Sequence, residues 1–461
     1  MTIWNVACSQ KGPKAFKGAK MRRKTLSIIM VTALSAASLF ASGCNETAAV
    51  SAENKEKTTA SVVSGTSFTD SSNGGHAILA DGENAEYSGI TVTKTGDSSG
   101  DDADFYGENA AVFATNGATL TISDAVISSD GTHANGVFSY GEGTTVNISD
   151  SEIHTVGNCS GGLMTTGGGT MNATDLTILT KGNSSAAIRS DKGGGTVNVT
   201  GGSYTTEGSG SPAIYSTADI TVTDAYLESK VSQGVVIEGR NSVTLNNCTL
   251  VASNIKKNSR KSSIYEAVMI YQSMSGDASV GTSEFTMNGG SLTNANGDIF
   301  FVNNTACIIT LNGATIVNND ATGAFLRAEA AGWGTEGSNG GKVILKATAQ
   351  EMDGDILVDE ISVLNLYLNE GSSFTGALNP EGQEGDVYVE LDASSIWTLT
   401  GDSYVSSLTC PAGSIDLNGY KLYVDGVEYV EGTESKGSAF GIASSNSSKA
   451  SGSGRPSRPG K

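Results

Sequence analysis

The chain has 461 residues, with 28 Lys and Arg against 48 Asp and Glu, a net charge of −20. Gly is abundant at 59, Pro scarce at 6, and charged residues make up only 16%. This mix suits short strands joined by tight turns and excludes a helical or coiled-coil protein. The apolar residues come in regular pulses, which excludes a wholly disordered chain. The acidic balance repels nucleic acid and anionic membrane surfaces. An uncharged polysaccharide, a protein or a cation suits it better than a polyanion.

From the beginning, Met21-Arg22-Arg23-Lys24 is a basic opening, and Leu26 to Phe40 is a mostly apolar run. Small residues Ala41-Ser42-Gly43 precede Cys44. Together they read as an export signal, with an apolar run too short to span a membrane. The cysteine directly after Ser42-Gly43 resembles the bacterial lipobox, with Ala41 where Leu is usual. That resemblance implies lipidation at Cys44 after cleavage. Ordinary cleavage with full secretion is the alternative. Residues 1–43 are therefore an upstream extension plus signal peptide, and 44–70 a flexible tether. Removing the first 44 residues, which hold 7 basic groups and no acids, leaves a net charge of −27.

Next comes a repeat. Ala118-Thr-Leu-Thr-Ile-Ser-Asp-Ala-Val-Ile is echoed by Thr144-Thr-Val-Asn-Ile-Ser-Asp-Ser-Glu-Ile and by five further copies. Their first apolar residues are Leu120, Val146, Met171, Val197, Ile220, Val243 and Phe285, at steps of 26, 25, 26, 23, 23 and 42. The long step holds an insertion around 255–279, rich in Lys and Arg. Within each phrase the period is two, which predicts a half-buried strand. A Gly- or Asp-containing corner and a second short strand follow. A third strand lies between phrases, as in Gly136-Val-Phe-Ser and Ala187-Ile-Arg-Ser. Three short strands in about 25 residues predict one coil of a three-faced β-helix, stable only when stacked on its neighbours. The predicted all-β solenoid covers 71–430 and ends in a terminal cap, with 431–461 a disordered tail.

Residues 75–430 resemble the right-handed parallel β-helix, pectin-lyase-like superfamily. Ser372-Ser-Phe-Thr-Gly, Ser395-Ile-Trp-Thr-Leu-Thr-Gly-Asp and Leu417-Asn-Gly-Tyr-Lys-Leu-Tyr-Val-Asp-Gly are similar to the terminal coils of adhesin-like bacterial surface proteins. The resemblance implies a right-handed helix and a cap, and carries no catalytic residues. Enzymes of the superfamily use calcium-binding carboxylates with a basic residue, or paired Asp with Gly-His-Gly and Arg-x-Lys. Neither of these last two phrases occurs in the β-helix body. His76, His133 and His154 sit in polar or turn-like contexts and read as surface histidines. No catalytic residue is assigned.

Parity along the third strand places Val112, Val137, Leu163, Ile188 and Ile214 inward. Phe113, Phe138, Met164, Arg189 and Tyr215 then align outward as a stripe. Exposed, such a stripe would contact carbohydrate or protein. The loop at 97–109 or the insertion at 255–279 would otherwise cover it. On the first strand, Thr121, Asn147, Asn172, Asn198, Thr221 and Thr244 form an outward polar ladder. Asp97, Asp101, Asp102 and Asp104 make the densest acidic cluster, a candidate for Ca2+, or else a solvated loop. Cys159, Cys248, Cys307 and Cys410 lack metal-site spacing and read as buried thiols, a disulfide being the alternative. The expected protein is a monomeric, non-enzymatic adhesin or glycan-binding lipoprotein at the bacterial cell surface. It would touch membrane only through its lipid, bind a polysaccharide or surface protein, and bind no nucleic acid. The alternative is a polysaccharide lyase or hydrolase of the same fold, which would gather Asp or Glu with Arg or Lys on one face.

Overall fold

The computed structural model of the protein describes residues 61–257, 259–382 and 385–442. Three long parallel sheets form the sides of a β-helix. Sheet A has 14 strands, from Val63–Ser64 to Ser407–Thr409. Sheet B has 10, from Ser67–Asp70 to Thr315–Asn318, and sheet C has 11, from Ile78–Asp81 to Ile356–Val358. Each of the first ten coils contributes one strand to each sheet in turn; beyond Asn318 a separate four-stranded sheet, from Glu351–Asp353 to Ile415–Asp416, forms as sheet B ends. At the usual strand spacing the stack is about 60 Å long.

The repeat phrases set the register. Leu120, Val146, Met171, Val197, Ile220, Val243 and Phe285 pair one above another in sheet A. All are buried in the single continuous core. The alternate positions form the outward ladder: Asn172 donates to Asn147 at 2.9 Å and Asn198 to Asn172 at 3.0 Å. Stacked amides satisfy one another along a parallel sheet as they do in cross-β stacks.

The corner between sheets A and B explains the Asp and Gly of each phrase. Asp124, Asp150, Asp175, Asp224 and Asn247 all have φ between 48 and 54°, the left-handed region. Asn, Asp and Gly tolerate that region best. The corner between sheets B and C uses a buried hydroxyl ladder that the sequence pattern did not announce. Thr155, Thr180 and Thr206 each donate to the carbonyl five residues on, at 2.5 Å.

Two boundaries differ from the sequence-based expectation. The first coil starts at Val63, inside the segment expected to be a tether, because Val63 and Ser64 pair with Tyr87 and Ser88. Residues 431–442 are also held to the rod. Ser435 bridges Cys410, and Phe440 exchanges two backbone hydrogen bonds with the Asn365 side chain at 2.9 and 3.0 Å. At the C-terminal end Leu422–Val424 turns back antiparallel onto Val427–Glu428, which blunts the open sheet edge. The expected signal, Cys44 and the tail beyond 442 lie outside the described residues.

Candidate functional site: the covered face of sheet C

The outward column of sheet C is aligned as parity predicts. Phe113, Phe138, Met164, Arg189 and Tyr215 are register partners in successive coils, and Val236, Met269 and Phe301 continue the column. The stripe is nevertheless not exposed. All eight side chains are buried, Phe113 the least so at 7% exposure. Of the two arrangements open to the sequence, covering is the one found, so the five stripe residues are not a contact surface.

Two covers do this. The first is the 96–110 loop, with the one-turn helix Asp101–Phe105, the only helix among the described residues. Ala110 packs on Phe113, Phe138 and Met164. Thr166 Oγ1 donates to the Phe105 carbonyl at 2.7 Å, tying the helix down. Gly107, at φ 83°, lies so close to the Phe113 ring that a Cβ would meet it at 2.2 Å. The second cover joins the insertion to the 329–340 loop, where Gly332 N donates to the Lys261 carbonyl at 2.7 Å. Trp333 packs edge-on against Tyr271 at 5.4 Å, with Ile264 and Ala331 alongside.

The acidic cluster does not converge on an ion site. Asp97 Oδ1 accepts from Thr132 N at 2.7 Å, while Asp101 and Asp102 point to solvent. Asp104 turns inward and meets His133 Nδ1 at 2.8 Å, both side chains buried. His133 is therefore no surface histidine. It occupies a left-handed corner position, φ 56°, directly under Cys159 at φ 57° in the next coil. Ligand atoms of Asp104, His133 and Cys159 lie within 4.8 Å of one another. A mixed N, O and S set, however, does not meet the all-oxygen demand of calcium. Cys248, Cys307 and Cys410 are free, buried thiols.

Between the covers lies a belt of buried charge. Arg189 Nη2 pairs with Asp191 at 2.8 Å, each side chain only 2% exposed. Burial pushes the Asp191 carboxyl up to about 7 even with the guanidinium beside it. Two coils further, Glu238 Oε2 accepts from Tyr215 Oη at 2.6 Å and Tyr271 Oη at 3.0 Å. Its Oε1 accepts from Ser273 Oγ on the loop that closes over it. Burial raises Glu238 above the usual carboxylate range against those three hydrogen bonds. The Asp277 carboxylate of the same loop raises it further, and its own Oδ2 is buried without a hydrogen bond.

At the second cover the belt ends in a small hollow of about 30 Å³, open to solvent. Its lining includes Gln233, Lys257, Ser262, Glu266, Met269 and Trp333. Gln233 Nε2 donates to Glu266 Oε1 at 2.7 Å, while Glu266 Oε2 and Trp333 Nε1 are buried with no hydrogen bond. Lys257 Nζ stands 3.7 Å from Glu266 and 4.1 Å from the centre of the Tyr265 ring. Burial pushes Glu266 up to about 7 and Lys257 down, so each is biased toward its neutral form.

Sequence reading missed Arg189–Asp191, His133 and this pocket. The first had a signal: in Ile188-Arg-Ser-Asp191 the charges are two apart, hence on one side of the strand. The pocket had none, because it is built from two insertions. No protein family, curated protein or solved structure matches the chain.

Proposed function

We propose that this chain is an exported surface solenoid, lipid-anchored through Cys44, that binds a glycan or a surface protein without altering it. In this reading it is a pectin-lyase-like, adhesin-type β-helix, monomeric and without nucleic-acid partners. Its ligand meets the pocket at the second cover, not the buried stripe. The observation that carries the reading is that Glu266 and Trp333, which line this solvent-open hollow, each keep a buried polar atom, Oε2 and Nε1, without a hydrogen bond. Buried polar atoms are ordinarily paired, and pockets with a few convergent polar groups are the usual ligand sites. The pocket stands where an insertion breaks an otherwise even repeat, which is where solenoids commonly carry binding loops.

The second reading, a lyase or hydrolase, is favoured by one observation. Arg189, Asp191, Glu238 and Asp277 are gathered on one face, with Asp191 raised to about 7. Acid–base work needs such groups within reach of substrate. Here Asp191 and Glu238 are at most 1% exposed, and catalysis would require the 273–280 loop to lift. This burial favours binding.

The deciding experiment is retention of polysaccharides and glycoproteins on the purified protein, with analysis of bound and free sugar by mass spectrometry. Intact retained glycan is expected. Shortened or unsaturated products would replace this reading with the enzymatic one.

A further inference from the structure

The insertion at the second cover stands apart from the rest of the rod in charge. Residues 61 to 442 contain 45 Asp and Glu against 15 Lys and Arg. From Arg240 to Tyr265 that balance reverses: no acid occurs, and Lys256, Lys257, Arg260 and Lys261 fall within six residues. Elsewhere Lys94, Arg189, Lys230, Arg327, Lys421 and Lys436 each stand within 3.4 Å of a carboxylate. In the insertion only Lys257 has a carboxylate partner, Glu266 at 3.7 Å. Lys256, Arg260 and Lys261 are exposed, and none forms an ion pair among the described residues. In the covering 329–340 loop, Glu329 is held by Arg327 at 3.4 Å, which leaves Glu336 as its one exposed acid.

The cations sit on a backbone fixed at several points. Ile255 N donates to the Val231 carbonyl at 3.1 Å, Lys261 N to Ser259 Oγ at 3.1 Å, and Gly332 N to the Lys261 carbonyl at 2.7 Å. A Cβ at Gly332 would meet Lys261 at 2.9 Å, so the two loops are in close contact. Holding a loop in advance lowers the ordering cost of binding. Charges more than about 8 Å apart are largely screened at physiological ionic strength. The insertion's own cations therefore set the field for a ligand lying on it, against the net charge of the rod. The expectation of an uncharged ligand, drawn from the whole-chain balance, does not apply on this strip. Resting on the glycan-binding reading, we infer that the insertion is a docking strip for an anionic polysaccharide, whose repeated carboxylates or sulfates lie across Lys256, Arg260 and Lys261. Such a polymer needs no cavity: each exposed ion pair is weak, and several made at once by one chain add up.

The test is calorimetric titration of the full-length protein with dextran sulfate, carboxymethyl dextran and dextran, which share a backbone, and with duplex DNA. One or both charged dextrans bind, plain dextran binds at least about tenfold more weakly, and the difference shrinks as salt rises. Which charged dextran binds more tightly decides between sulfate and carboxylate. K256Q/R260Q/K261Q removes three exposed charges and should keep the melting temperature. It weakens binding of the charged dextran by about tenfold or more. K342Q/K346Q, which alters two exposed lysines on sheet A, leaves that binding unchanged. Unchanged binding by the triple variant overturns the site and moves the contact to the basic stretch from Lys449 to Lys461. An equal loss in K342Q/K346Q overturns it too, since net charge alone then accounts for binding. Equal affinity for plain dextran overturns the anionic assignment, and equal or tighter binding of duplex DNA overturns the polysaccharide one. Failure of both charged dextrans, with a neutral glycan still retained by the protein, overturns this inference alone. Retention of no glycan or glycoprotein of any kind overturns the parent reading as well.

Discussion

The two covers on sheet C do the same geometric job with opposite chemistry. The first meets Phe113, Phe138 and Met164 with Ala110, and its helix hangs on a hydrogen bond from Thr166. The second meets Met269, Tyr271 and Phe301 with Trp333, yet leaves an indole N–H and a carboxylate oxygen buried without a hydrogen bond in residues that line a solvent-open hollow. A cover that only shields apolar rings needs neither a gap nor orphaned polar atoms. The difference marks the first as a structural staple and the second as the place where ligand contact belongs.

The contrast breaks most visibly at Phe138. This ring is fully buried and stacks edge-on with Phe113 at 5.7 Å. Phe138→Ala should cost about 3–5 kcal/mol, the usual loss for a buried aromatic. Denaturant melts followed by circular dichroism would measure it. Glycan retention should be unchanged at temperatures where the variant is folded. Loss of retention without loss of stability would place the binding face under the first cover instead.

Glu238 comes next, because it holds the belt between the covers. Glu238→Ala removes the acceptor that Tyr215, Tyr271 and Ser273 share, at about 1–3 kcal/mol for a buried hydrogen bond lost. Glu238→Gln keeps an acceptor and should cost less. Limited proteolysis should cut the 273–280 loop faster in the alanine variant. Equal cutting in wild type and variant would show that Ser273 does not anchor the loop.

What could be read in advance follows from where the information lies. Inward and outward parity was legible because each coil repeats Val146-like and Asn147-like positions, and register then fixes their neighbours. The φ-positive corners were legible as recurring Asp and Gly. Burial of the stripe was not, since residues 97–109 and 255–279 stand outside the repeat, and parity says nothing of which sheet a loop folds against. His133 looked exposed because its neighbours Thr132 and Asn135 are polar, but its corner faces Asp104 from a distant loop.

Stability should also depend on pH with an uncommon sign. Asp191 and Glu266 hold a proton in the folded chain up to about pH 7, from ordinary values of 3.8 and 4.5. Between about pH 4 and 7 the folded state therefore binds more protons than the unfolded, and stability falls as pH rises through that window. Asp392, lowered to about 2 where Ser394 and Ser395 bond it, works the other way and loses its contribution below about pH 4. The melting temperature should peak near pH 4–5 and drop by roughly 2–4 °C or more toward pH 7. Asp191→Asn with Glu266→Gln should flatten that drop. An unchanged slope in the double variant would remove both carboxyls as its source.

The smallest effect on stability sharpens the comparison most. At each cover a lysine rests against an aromatic ring of the covering loop: Lys192 Nζ lies 5.2 Å from the centre of Phe105, and Lys261 Nζ lies 5.8 Å from that of Trp333. As cation–π contacts near the surface, each should contribute about 0.5–1 kcal/mol at most. Lys192→Gln and Lys261→Gln should thus shift the melting temperature by similar small amounts. They should separate in binding: Lys192→Gln leaves sugar retention intact, and Lys261→Gln weakens it, more so at low salt where an exposed charge acts farther. The matched pair cancels whatever loss of a ring contact does by itself, so a difference between them reads the role of the second cover directly. Equal retention by both variants would reduce Lys261 to a lysine resting on a ring.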